Sequence, residues 1–137
     1  MNYNIDKCKI INLPVISDAR GNLSFIENEN HLPFSFSRFY YLYDIPGGSD
    51  RGGHAHKDLH QLIIAGSGSF HVHLDDGSKS RSFILNSPNK GLYICPHIWR
   101  SLDSFSSGSL CMVLASDKYD ESDYLRTYDD FLTFIKS

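Results

Sequence analysis

The sequence predicts an all-β domain of short antiparallel strands with one C-terminal helix, on three observations. Runs of β-branched and aromatic residues recur along most of the chain, clusters of Gly, Asn, Asp and Ser separate them, and the period of the apolar pattern changes near the end. Strands are expected over residues 9–13, 22–27, 36–44, 59–65, 69–75, 81–85, 91–95 and 110–115. In the fifth of these, Phe70, Val72 and Leu74 alternate with His71 and His73, so the histidines face outward if the apolar set faces the core. Asp76-Gly77 between two runs is a two-residue hairpin signal, because Gly tolerates positive φ. Short strands at this spacing indicate a sandwich or barrel rather than βαβ units. At the tail, Tyr128, Phe131, Leu132 and Ile135 share one helical face, with Thr127 or Asp129 as cap. This helix is expected to cover one end of the barrel.

A chain of 137 residues suits a single domain spanning 1–137 with one core. Nine Phe, eight Tyr and one Trp supply a β-rich core and stacking surfaces. The net charge of −3 argues against non-specific nucleic-acid binding, which needs concentrated Lys and Arg. No apolar run approaches the ~20 residues of a membrane helix, and the segment Met1 to Lys7 lacks a signal core. Cys8, Cys95 and Cys111 are odd in number and lack CxxC spacing, so each reads as a small buried residue in a reducing cytoplasm.

The most informative stretch is Gly48-Ser49-Asp50-Arg51-Gly52-Gly53-His54-Ala55-His56. Strand geometry puts His54 and His56 on one face, where two imidazoles can bind a metal or move protons near neutral pH. The adjacent glycines let the backbone turn tightly. The Gly48…His54-x-His56 spacing resembles the first motif of the cupin superfamily, which implies a cupin jelly-roll antiparallel β-barrel. That motif normally continues with a Glu, where this chain has His60 and Gln61. The second cupin motif supplies another His, where this chain has Arg100 after Pro96-His97-Ile98-Trp99. A cation beside the pair opposes metal binding, although His60 or His97 remain alternative ligands. The expectation is therefore no metal and no cofactor, with the histidines acting as acid and base.

Further segments carry a closer resemblance. Asp18-Ala19-Arg20-Gly21-Asn22-Leu23, Arg38-Phe39-Tyr40-Tyr41, Arg51-Gly52-Gly53-His54-Ala55-His56-Lys57 and Leu74-Asp75-Asp76-Gly77 are four of them. Ser87-Pro88, Gly91-Leu92-Tyr93, Val113-Leu114-Ala115-Ser116-Asp117 and Tyr119-Asp120-Glu121-Ser122-Asp123-Tyr124 follow. In order and spacing the chain is similar to the dTDP-4-keto-6-deoxyglucose 3,4-ketoisomerases, over almost its whole length. The resemblance implies a cytoplasmic homodimeric isomerase that makes precursors of 3-amino-3,6-dideoxyhexoses for surface glycans such as lipopolysaccharide.

Moving a keto group from C4 to C3 requires removal of the C3 proton, an enediol or enediolate, and protonation at C4. His54 is the expected base, with His56 shuttling protons or stabilising the enediolate. Tyr40, on one strand face with Arg38, is the further catalytic candidate. A diphosphate calls for guanidinium groups, and Arg51, Arg20 and Arg38 are the candidates, with Arg100 and Trp99 as further substrate-binding candidates. Related sugar-nucleotide cupins use a segment like that around Arg20 across a dimer interface. Trp99, Tyr93 or Phe39 are available to stack on the base. His71 and His73 read as surface or interface residues, His31 as a loop residue, and the acidic run 117–123 as a solvated turn. A 3,5-epimerase of the same substrates, a metal-dependent cupin and a non-catalytic sugar-nucleotide-binding cupin are the competing readings.

Overall fold

The computed structural model describes residues 3–137, so Met1 and Asn2 of the N-terminal reading lie outside the described residues. The strands are β1 (Lys9–Asn12), β2 (Val15–Asp18), β3 (Gly21–Ser24), β4 (Arg38–Leu42), β5 (Arg51–His56) and β6 (Gln61–Ser67). They continue as β7 (Phe70–Asp75), β8 (Ser80–Leu85), β9 (Lys90–Ile94), β10 (Trp99–Asp103), β11 (Leu110–Ala115) and β12 (Tyr124–Leu125), before helix α1 (Tyr128–Lys136). Two five-stranded antiparallel sheets, ordered β1-β9-β6-β11-β4 and β12-β5-β10-β7-β8, pack face to face as a jelly roll. The hairpin β2-β3 stands apart as a two-stranded ribbon, and all eight of its residues are exposed. Three strands, β2, β10 and β12, lie beyond the sequence expectations, and β5 is anticipated only through the strand alternation of His54 and His56.

Alternation places the core. On β7, Phe70, Val72 and Leu74 are buried while His71 and His73 lie on the outer face, as the pattern predicts. With Leu62, Leu92, Ile94 and Ile98 they fill the space between the sheets. Cys8, Cys95 and Cys111 are all buried and free, and the Cys8 and Cys95 sulfurs are 3.9 Å apart.

Two expectations shift. The β7-β8 reversal centres on Gly77-Ser78 rather than Asp76-Gly77, because the Asp76 amide donates to the Lys79 carbonyl at 3.0 Å. The Asp76 carboxylate meanwhile accepts from the amides of Ser78 and Lys79, leaving Gly77 at φ +92° as the first turn residue. Helix α1 is capped by Thr127, whose hydroxyl accepts from the Asp130 amide. It does not close a barrel end. Phe131 packs with Ala55, Leu125 and Trp99, which puts the helix against the outer face of the β12-β5-β10 sheet. No helix among the described residues is long and apolar enough to cross a membrane.

Candidate active site

The glycines before the histidine pair create the site's geometry. On β10, Arg100 pairs with His54 while the next residue, Ser101, pairs with Gly52. Gly53 is thus the extra residue of a β-bulge, a feature that bends a strand and re-aims the side chains beside it. Gly52 and Gly53 have φ of +99° and +70°. A Cβ on Gly52 would lie 3.0 Å from the Ser101 Cα and 3.1 Å from the Arg100 carbonyl oxygen. Only glycine fits this position.

Between the sheets lies a cavity of about 560 Å³. Arg38 and Tyr40 on β4 and Gln61 on β6 enter it from one sheet; Arg51 and His54 on β5 and Arg100 on β10 enter from the other. Tyr124 and Arg126 close one side. Hence His54, Tyr40, Arg38, Arg51 and Arg100 converge from three strands, and Gln61 joins them from a fourth. The guanidinium groups of Arg38, Arg51, Arg100 and Arg126 make this cavity cationic in a chain whose net charge is −3.

Arg100 is fully buried. Its Nε and Nη2 donate to the Ile98 carbonyl, and its Nη1 donates to the Gln61 side-chain oxygen. Gln61 Nε2 in turn donates to the Tyr40 hydroxyl oxygen at 3.0 Å. With its oxygen already accepting, Tyr40 is left to donate its own proton into the cavity. Burial raises the Tyr40 pKa, which keeps the phenol protonated.

His54 is neutral at physiological pH. Burial first, then the Arg100 charge, pushes its pKa down to about 3. His56 shares its strand face, and the two rings meet edge-on with centroids 5.0 Å apart. Yet His56 does not line the His54 cavity. It borders a second hollow with Asp123, Tyr119 and Lys118, and Tyr124 lies against both imidazoles. Burial drives the His56 pKa far down and that of Asp123 up. A neutral imidazole donating from Nδ1 to the Asp123 carboxylate, 2.9 Å away, satisfies both trends and leaves Nε2 buried without a partner. The acidic run is accordingly more than a solvated turn: Asp123 also accepts from the Asp58 amide at 2.8 Å.

Other sequence candidates fall elsewhere. Trp99 alternates with Arg100 on β10, so it sits on the outer face against Tyr128 and Phe131, not in the cavity. Arg20 lies at the tip of the β2-β3 hairpin, 91% exposed and paired with Asp18 at 2.7 Å. Phe39 is exposed, and Tyr93 bonds to His60 Nδ1 at 2.7 Å. Neither His60 nor His97 borders the cavity. Gln61, Tyr124, Arg126 and Asp123 are site residues the sequence reading missed. Gln61 was available as the inward-pointing residue of a buried strand, where a polar side chain requires a partner.

The fold and this cavity define a cupin whose inner histidine, tyrosine and guanidinium groups are arranged for acid–base chemistry on an anionic ligand. The chain belongs to the FdtA family, described as WxcM-like, C-terminal, whose model matches residues 6–136. It is 47% identical over 127 residues to the TDP-4-oxo-6-deoxy-alpha-D-glucose-3,4-oxoisomerase of Aneurinibacillus thermoaerophilus, covering 93% of this chain and 91% of the relative. The WlaRB TDP-quinovose 3,4-ketoisomerase of Campylobacter jejuni superposes with a TM-score of 0.90 at 46% identity, over 94% of this chain and 99% of that one. A histidine-to-asparagine variant of the 3,4-ketoisomerase QdtA of Thermoanaerobacterium thermosaccharolyticum, in complex with TDP-4-keto-6-deoxyglucose, superposes with a TM-score of 0.92. That pair is 38% identical and covers 99% and 96% of the two chains.

Proposed function

We propose that this chain converts dTDP-4-keto-6-deoxyglucose to the 3-keto isomer through an enediol(ate), with His54 as base and Tyr40 as the hydrogen-bond donor to the C4 oxygen. The observation that carries this reading is the neutral, cavity-facing His54 set across from a protonated Tyr40 amid guanidinium groups. His54 takes the C3 proton, and charge develops on the C4 oxygen. Tyr40, whose own oxygen is held by Gln61, donates to that oxygen. Protonation of C4 by the His54 imidazolium and passage of the C3 hydroxyl proton to the C4 oxygen, relayed by the Tyr40 hydroxyl, which gives up one proton and takes back another, complete the shift. Every proton removed is returned, so the step balances without a redox cofactor, and no metal is assigned a role.

His56 acts behind His54. Its Asp123 contact fixes its tautomer, and its ring packs edge-on against the base. Arg51, Arg38 and Arg126 hold the diphosphate, with Arg51 at the exposed rim.

Assembly as a homodimer fits two exposed features. The β2-β3 hairpin presents Val15, Ile16 and Leu23, while edge strand β4 presents Phe39 and Tyr41, with Tyr43 just beyond it. A hairpin laid on the partner's β4 covers both and carries Arg20 toward the partner's cavity. A cytoplasmic location accords with the three free thiols, and supply of amino-deoxysugars to surface glycans accords with the product.

The deciding experiment is incubation with dTDP-4-keto-6-deoxyglucose in D₂O, followed by NMR. A 3-keto product with deuterium at C4 supports the reading; deuterium at C5 with inverted configuration identifies a 3,5-epimerase instead. An unchanged sugar with dTDP bound identifies a non-catalytic binder.

A further inference from the structure

The histidines of β7 lie outside the catalytic cavity and carry an arrangement of their own. His71 and His73 project from the outer face of the β12-β5-β10-β7-β8 sheet, because Phe70, Val72 and Leu74 take the inner face. On the neighbouring strand Asp103 pairs directly with His71. One ligand atom from each of His71, His73 and Asp103 lies within 4.8 Å of the other two. A tetrahedral ion with metal–ligand bonds of about 2.0–2.1 Å holds its ligand atoms roughly 3.3 Å apart, so small side-chain rotations close the set.

The surroundings orient these groups. His73 Nε2 is 2.9 Å from Asp103 Oδ1, and its Nδ1 is 2.7 Å from the hydroxyl of Ser82, which pairs with His73 on β8. Once Nε2 binds an ion, Nδ1–H donates to Ser82, the support that metal-ligating imidazoles characteristically have. The Ser104 hydroxyl donates to Asp103 Oδ1 at 3.1 Å. Three paired strands supply the frame, which is more rigid than a loop.

We propose that His71, His73 and Asp103 form a binding site for a divalent transition ion, Zn²⁺ in the first instance, independent of the isomerase cavity. Two imidazoles and one carboxylate select Zn²⁺ and its neighbours over Mg²⁺ or Ca²⁺, which prefer oxygen ligands throughout. Three protein ligands leave the fourth position to water. The site stands apart from the catalytic reading, since its residues face the opposite side of the sheet from Arg100 and His54.

The test uses the full chain stripped with chelator and then titrated with ZnCl₂ by calorimetry and with CoCl₂ by visible absorption. The expected result is one equivalent per chain and the intense d–d bands of tetrahedral Co²⁺. Both are lost in the His71→Ala/His73→Ala double variant, and Ser82→Ala weakens affinity about 10-fold or more. Asp103→Asn, nearly isosteric, must also lose the tetrahedral bands and replaces the double variant should that not fold. The double variant keeps the wild-type isomerisation rate. No binding at millimolar Zn²⁺, or the same stoichiometry and affinity in the variants, overturns the proposal; in the second case the ion is held by other histidines.

Discussion

His54 and Arg100 stand directly opposite each other on β5 and β10, both turned into the cavity. Burial first, and then the cation facing it, disfavours the His54 imidazolium, so the ring is held as a neutral imidazole. The same guanidinium reaches Tyr40 through Gln61, so one residue conditions both the proposed base and the proposed donor.

The proposed base and anchor are expected to separate by mutation. His54→Asn lowers isomerisation by about 10²–10⁴ and abolishes deuterium wash-in at C3, with dTDP affinity by calorimetry nearly unchanged. Arg51→Ala does the reverse. Losing a charge-assisted contact of roughly 1.5–3 kcal/mol weakens dTDP binding about 10- to 150-fold, with chemistry retained at saturation. Wild-type exchange in His54→Asn would pass the role of base to another group.

Tyr40→Phe removes the donor to the C4 oxygen and lowers kcat by about 10²–10³. Gln61→Leu keeps the phenol but frees its oxygen and strips Arg100 of a partner, so kcat falls less while thermal stability falls more. Equal kcat losses with unchanged melting temperature in both variants would contradict this division of labour.

The pH dependence follows from the sign of the shifts. With His54 as the proposed base its neutral form is the active one, and burial beside Arg100 lowers its pKa to about 3, so kcat/KM is expected to show no tenfold fall per unit below pH 6.5. Stability behaves otherwise. Unfolded histidines take up protons below about 6.5, whereas folded His54 and His56 do not. Their contribution is complete above pH 6.5 and declines as the pH falls toward 3. The melting temperature therefore drops between pH 7 and 4.5, less steeply in His54→Asn. An acid limb of kcat/KM at 6.5 in a fully folded protein would be inconsistent with a depressed His54.

Gly52→Ala tests the bulge. At φ +99°, with backbone atoms about a contact radius away, the added methyl costs roughly 1–3 kcal/mol and displaces β5 from β10. Gly47→Ala, where nothing lies within 4 Å, leaves the melting temperature within about 2 °C of wild type. A neutral Gly52→Ala would mean that the ladder relaxes without cost.

The sequence by itself determined the all-β architecture, the outward facing of His71 and His73, the shared face of His54 and His56, and the pairing of Arg38 with Tyr40. Each follows from the two-residue period of a strand, which needs no knowledge of the neighbouring strand. It also carried the family, through motifs lying in order along the chain. The tertiary structure alone decided which groups meet. Strand β10 escaped notice because buried Arg100 occupies an inward position that an apolar residue normally fills, and the same alternation turned Trp99 outward beneath α1. Asp123 reached His56 across 67 positions of sequence, and Gln61 joined Arg100 to Tyr40 across two sheets. Such contacts depend on long-range register and on the extra residue at Gly53. Local periodicity fixes the direction of a side chain, whereas the packing of distant strands fixes its partner.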